Sequence, residues 1–260
     1  MATVRKTPKK QEIEQREALL IETAGQILLS EGVDALSMER LAAELNTAKG
    51  TIYNHYPNRE ELLLAMSVRA VNKRQTMFDI ASMSRGSARD RILAVAVACE
   101  IYVLYYPLHF TVESIVRHGS IWDCCSEKRR QLLHQREGQC VALVSGIIRS
   151  AIANGELALP PNMRPHELTL SLWALLYGAH IIDKTSPSLG ELGIASTWQI
   201  VRLSTLHLLN GFNWQPLWTA AEQEQRIASI CESVFPNERA LPTSIEQTHA
   251  DQACAGKVEV

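Results

Sequence analysis

The chain has 260 residues, 46% of them hydrophobic and 21% charged, with a net charge of −2 at neutral pH. That composition excludes a fibrous, low-complexity or disulfide-scaffold chain and leaves room for one large or two small globular domains. Six cysteines in this length, no secretory apolar core ahead of them and no apolar run near membrane-spanning length make the reducing cytoplasm the expected location, with no membrane partner.

β-branched and aromatic residues show no sustained alternation, while apolar residues recur at helical spacing throughout, so the expected fold class is all-α. Residues 1–13, with Arg5, Lys6, Lys9 and Lys10, read as a basic N-terminal arm. A first helix is expected over 11–31, striped by Ile13, Leu20, Ala24 and Ile27, with Gly32 as a left-handed C-cap. Ser37 should N-cap a second helix over 38–45, whose Met38, Leu41, Ala42 and Leu45 share a face and whose Glu39 sits near the positive helix end. Asn46 tolerates positive φ and turns the chain, Thr47 caps a short third helix over 48–55, and Pro57 ends it. Asn58 should cap a fourth helix running to about residue 80.

Further helices are expected over 88–106, 108–117, 126–153, 165–183, 195–212 and 216–234. SRGS at 84–87, Asn154-Gly155, Pro160-Pro161 and SPSLGELG at 186–193 punctuate them. A domain boundary shortly before SRGS separates residues 14–74 from a larger helical domain over 75–236, and the polar, aperiodic residues 237–260 are expected to be disordered.

Residues 37–56 thus make two short helices around a tight turn. The second buries little beyond Ala48, Ile52 and parts of Tyr53 and Tyr56, so most of its surface needs a partner. A DNA major groove accepts such a helix between walls of phosphate. Ser37, Thr47, Lys49, Thr51, Tyr53, His55 and Arg59 suit phosphate contacts, Gly50 permits close approach, and Asn54 can pair bidentately with adenine.

Residues 16–63 resemble the DNA-binding domain of the tetracycline-repressor (TetR) family of bacterial transcriptional regulators. The resemblance rests on Leu20-Ile21-x-x-Ala24, Gly32, Ser37-Met38, Leu41-Ala42, Lys49-Gly50-Thr51-x-Tyr53 and Tyr56-Pro-x-Arg59-Glu-Glu-Leu62. Four positions depart from the family pattern: Asn46 stands where Gly is usual, Thr47 where an aliphatic residue is common, Tyr56 for Phe and Arg59 for Lys. The resemblance implies a homodimer on a roughly palindromic double-stranded operator, its recognition helices about 34–36 Å apart or a multiple of that. It assigns Ser37, Thr47, Thr51, Tyr53, His55 and Arg59 mainly to the DNA backbone and Lys49 and Asn54 to base edges, beside Gly50. The basic arm can reach an adjacent minor groove.

The same resemblance makes residues 75–236 an effector-binding and dimerisation domain. Leu168, Leu172 and Leu176 on one long helix and Ile200, Leu203 and Leu206 on the next are the expected dimer face. Tyr102, His109, Phe110, Trp122, Cys140, Trp173 and Tyr177 are the expected pocket for a mostly apolar or aromatic effector, with His180 completing an i, i+4, i+7 face. Both stripes equally suit a core. Cys124-Cys125, flanked by His118 and His134, has no zinc-ligand spacing and leaves a redox-responsive regulator as one alternative reading. A helical protein–protein adaptor is another. The sequence contains no H-E-x-x-H, G-x-S-x-G or phosphate-loop motif, and its one Glu-x-x-His pair, Glu246 to His249, lies in the tail, so neither enzyme, metal site nor cofactor is expected.

Overall fold

The computed structural model describes residues 8–117, 121–186, 189–194 and 196–238. Among them it contains ten α-helices and no strand: α1 Pro8–Glu31, α2 Met38–Glu44, α3 Lys49–His55, α4 Arg59–Ser82, α5 Ala88–Tyr105, α6 Pro107–Val116, α7 Glu127–Ala153, α8 Pro165–Thr185, α9 Thr197–Gly211 and α10 Ala220–Ser233. The expected all-α class holds. Most of the basic arm, His118 and residues 239–260 lie outside the described residues.

Helix ends follow local chemistry. Ser37 Oγ accepts the Arg40 N–H at 3.0 Å, and Asn58 Oδ1 accepts the Glu61 N–H at 2.7 Å. Gly32 closes α1 at φ 86, ψ 178, which is not the left-handed helical cap expected but an extended region open essentially to glycine alone. A 3-10 turn at Val33–Ala35 follows it. The last helix starts at Ala220 rather than 216, because Thr219 and Glu222 form a capping box there: Thr219 Oγ1 accepts the Glu222 N–H at 3.3 Å and Glu222 accepts the Thr219 N–H at 2.7 Å.

The helices group into two compact units, neither continuous in sequence. The first holds the described residues of Met1–Lys73 and Tyr106–Glu137, the second those of Arg74–Tyr105 and Gly138–Val260. Two domains consecutive in sequence do not anticipate this return of α6 to the N-terminal helices. Gly25 of α1 supports it by its missing side chain, since a Cβ there would lie 2.5 Å from Leu108 Cδ2 of α6. The core of the first unit gathers Leu20, Ala24, Ile27 and Leu28 of α1, Leu41 and Ala42 of α2, Ile52 of α3 and Leu62, Leu63 and Met66 of α4. Ile13, expected on the same stripe, is exposed near the start of α1.

In the second unit α8 packs on α9, and α10 packs on α5 and α9. Buried charges tie these helices together. Arg89 of α5, fully buried, donates to the carbonyls of Trp214 and Pro216 and, at 2.6 Å, to Asn210 Oδ1. Its guanidinium and that of Arg226 each lie 4.5 Å from the Trp218 ring centre. Burial, and next the charge of Arg226, draw Arg89 down to about 10, so it stays charged at neutral pH. Arg202 of α9 grips Glu100 of α5 through two bonds of 3.0 and 2.7 Å, and Glu224 of α10 at 3.1 Å.

A buried bidentate pair is costly to break on one side, because the remaining charge stays desolvated. Arg202→Met is expected to cost about 3–5 kcal/mol, read as a fall of roughly 10 °C in the thermal midpoint. Replacing both partners with Glu100→Leu and Arg202→Met should recover most of that loss. A single variant melting with the wild type would show that the pair does not hold α5 to α9.

Candidate nucleic-acid interface

The site is built from a turn that only certain residues can make. After α2 the chain reverses through Leu45 and Asn46, with Asn46 at φ 45, as expected of a residue that tolerates positive φ. The Asn46 N–H donates to the Ala43 carbonyl at 3.1 Å and the Thr47 N–H to that of Ala42 at 3.0 Å. Thr47 does not cap α3. The N-cap is Ala48, which has no side-chain acceptor, while the half-buried Thr47 is held by its backbone. Nor does Ala48 anchor the helix, since its side chain is exposed.

What anchors α3 is Ile52, 1% exposed, and Tyr56 immediately after its last turn, 2% exposed. Burial pushes the Tyr56 phenol up to about 12, with Glu17 adding to the shift. The opposite face carries Lys49, Gly50, Tyr53 and Asn54, all exposed, at the i, i+1, i+4, i+5 spacing of one helix side. No atom beyond its own helix lies within 4 Å of where a Gly50 Cβ would sit. Thr51 is half-buried at the flank of this face.

The remaining expected contacts are placed differently. The His55 side chain is only 12% exposed, and its Nδ1 lies 3.6 Å from Glu17 of α1, so it faces the domain interior rather than the open side. Arg59 turns its Nη1 toward the carbonyls of Leu36 and Val33, at 3.4 and 3.5 Å, and its Nε lies 3.5 Å from Glu60. Lys49 pairs with Glu39 at 3.1 Å, both side chains more than half exposed. Such a pair is screened by water and salt, so a phosphate can replace Glu39 at little cost.

A short helix held by a tight turn against a buried first helix, with its free face studded by Lys, Gly, Tyr and Asn, is a helix-turn-helix of the DNA-binding class. Residues 20–66 match the family model of bacterial regulatory proteins, tetR family. That match gives these residues the character of a TetR-type DNA-binding domain. An uncharacterized HTH-type transcriptional regulator of Mycobacterium tuberculosis is 24% identical to it over 175 residues, 66% of this chain and 78% of that one. A second from the same organism is 33% identical over 89 residues, 34% of this chain and 40% of its own. Among solved structures, a TetR/AcrR-family transcriptional regulator from Thermobifida fusca has a TM-score of 0.57 at 23% identity, over 76% of this chain and 98% of that one. A tetR-family regulatory protein from Rhodococcus reaches 0.59 at 17% identity, over 76% and 97%. These structural likenesses speak for the fold.

In the remaining helices several expected residues fall elsewhere. His109, Phe110 and Trp122 belong to the first unit, and Tyr102, Cys140, Trp173 and Tyr177 to the second. Trp122 stacks on His134 at 5.1 Å, Cys140 donates to Gln75 at 3.0 Å, and Trp173 meets Tyr177 edge-on at 6.4 Å. His180 is buried beside Trp198, and burial, then Lys184, draws it down to about 4.

None of the seven lines the crevice that the second unit does contain. That crevice is narrow, with a cavity volume of about 20 Å³, between Leu93, Val97, Trp198, Ile227 and the polar Glu100, Arg202, Thr205 and Gln223. The signal that could have found it was a lone Glu in the apolar run of α5. In the Cys124-Cys125 pair Cys124 is exposed and Cys125 buried, and burial, then Glu61 and Glu60, push the Cys125 thiol up to about 11. Of the expected dimer residues, Leu168, Leu172 and Leu206 are buried inside the unit because α8 and α9 close on each other, and Leu176 is half-buried. Only Ile200 and Leu203 are exposed, joined by Leu170, Trp173 and Ile182.

Gly50 separates folding from binding in this helix. Gly50→Ala meets open space and replaces a poor helix former, so it should stabilise the fold by about 0.5 kcal/mol. A thermal midpoint below that of the wild type would show that the site is not open as described.

Proposed function

We propose that the chain is a cytoplasmic, ligand-responsive transcriptional repressor that binds a roughly palindromic operator as a homodimer. The observation that carries this reading is the exposed Lys49–Gly50–Tyr53–Asn54 face on a helix whose opposite face is buried. In the groove, Asn54 pairs with an adenine and Lys49 with a guanine edge, while Ser37, Thr47, Thr51 and Tyr53 hold phosphates and Gly50 lets the backbones approach. His55 and Arg59, turned toward Glu17 and the Leu36 carbonyl, support α3 before they touch DNA. Residues 1–13 extend the contact into the neighbouring minor groove.

The dimer contact is the apolar surface left on the outer sides of α8 and α9, where Leu170, Trp173, Ile200 and Leu203 are each at least 37% exposed. A two-fold axis there would bury a self-complementary face on both copies. The effector is a small molecule with an apolar or aromatic body, received among the helices of the second unit. A protein–protein adaptor is the second reading, and salt separates the two, since phosphate contacts release counterions and apolar docking does not.

The test is a gel shift with duplex DNA from the chain's own promoter region. The dimer should retard it at low salt and release it steeply as salt rises. Lys49→Ala should weaken binding and lower the log–log salt slope by about 1. No retardation at low salt, with or without cell extract, would end the repressor reading. Leu203→Glu should halve the mass seen in sedimentation equilibrium while keeping helicity, and an unchanged mass would move the dimer contact elsewhere.

A further inference from the structure

In the first unit, the N-terminal end of α7 is bound to the start of α4 and to the residue that closes the recognition helix. The Glu61 carboxylate of α4 accepts the Ser126 N–H just ahead of α7 and a charge-assisted bond from Arg129 Nε at 2.6 Å. Asn58, the N-cap of α4, adds a bond from its Nδ2 to the Cys124 carbonyl at 3.0 Å. The same Arg129 lays its guanidinium 5.4 Å from the centre of the Tyr56 ring, within reach of a cation–π contact. Burial alone would raise Glu61, but its bonds to Ser126 and Arg129 outweigh this and hold it below the usual carboxylate range.

Of these contacts, the one from Arg129 reaches Tyr56. Tyr56 is one of the two residues that anchor α3, and nothing in the arrangement lies on the exposed Lys49–Asn54 face. α7 continues as one helix to Ala153, so its first turns sit at the root of the DNA-reading element while its later turns belong to the second unit.

We infer that Arg129 and Glu61 are positioning residues for DNA recognition: through Tyr56 they set the pose of α3 in the groove without contacting DNA. The inference rests on the DNA-binding reading above. Arg129→Gln keeps the side-chain length but removes the charge from Glu61 and from the ring. Arg129→Lys keeps the charge. Tyr56→Phe keeps the ring.

The experiment combines operator affinity across a salt series with amide hydrogen exchange on the free full-length protein. Arg129→Gln should weaken operator binding roughly tenfold, leave the salt slope unchanged and speed exchange across 51–56, with exchange in α9 and α10 unaltered. Arg129→Lys should recover part of the affinity, and Tyr56→Phe should behave as the wild type. Wild-type affinity together with wild-type exchange in Arg129→Gln would overturn the inference. So would a salt slope lower by about 1, which would make Arg129 a phosphate contact itself. Should the wild type bind no DNA, the DNA-binding reading fails, yet the exchange data still decide whether Arg129 holds α3.

Discussion

The part of this protein that meets DNA depends on the burial of two side chains, Ile52 and Tyr56. A helix of seven residues does not persist by itself in water, because its nucleation cost is spread over too few hydrogen bonds. α3 persists because Ile52 and Tyr56 sink among α1, α2 and α4, and because Asn46 takes the positive φ that aims the helix. The two demands on α3 oppose each other. Every further side chain turned inward would steady it and would remove a group from the face offered to the groove. Two anchors and one cramped turn leave Lys49, Gly50, Tyr53 and Asn54 open.

The polar residues around this helix divide by where their atoms point rather than by type. Lys49 and Arg59 are both cations within reach of a groove, yet Lys49 is held only by an exposed partner while Arg59 lies against the carbonyls that end the 3-10 turn. Glu39 and Glu61 sit in the first turns of α2 and α4, but Glu61 is buried and bound to Ser126 and Arg129. The support of the recognition helix is therefore electrostatic as well as apolar, and part of it comes from a segment more than sixty residues further along the chain.

The second unit inverts the usual sorting of residues in two places. Its interior holds Arg89, which donates to the Trp214 and Pro216 carbonyls after α9 and to Asn210 Oδ1, and the ion pair of Glu100 with Arg202. Such groups are poor sources of net stability, but they tolerate few alternative arrangements and so specify how α5, α9 and α10 meet. Its exterior leaves Trp173, Ile200 and Leu203 in solvent on two helices that pack together. An apolar surface of that kind is the usual mark of a protein partner.

The all-α class, nearly every helix boundary, Ser37 and Asn58 as caps and Asn46 as the turn were all legible from the sequence, because each follows from spacing or from one residue's backbone preference. The sequence likewise determined the helix-turn-helix and its inventory of Lys49, Gly50, Tyr53 and Asn54. Only the tertiary structure decided that Thr47 caps nothing, that His55 and Arg59 turn inward, and that Leu168, Leu172 and Leu206 are core while Ile200 and Leu203 are not. It alone brought Arg129 to Tyr56 and Arg202 to Glu100. Periodicity says which residues share a helix face. Which of two apolar faces is covered, and which distant charge meets which, depends on how the helices pack in three dimensions.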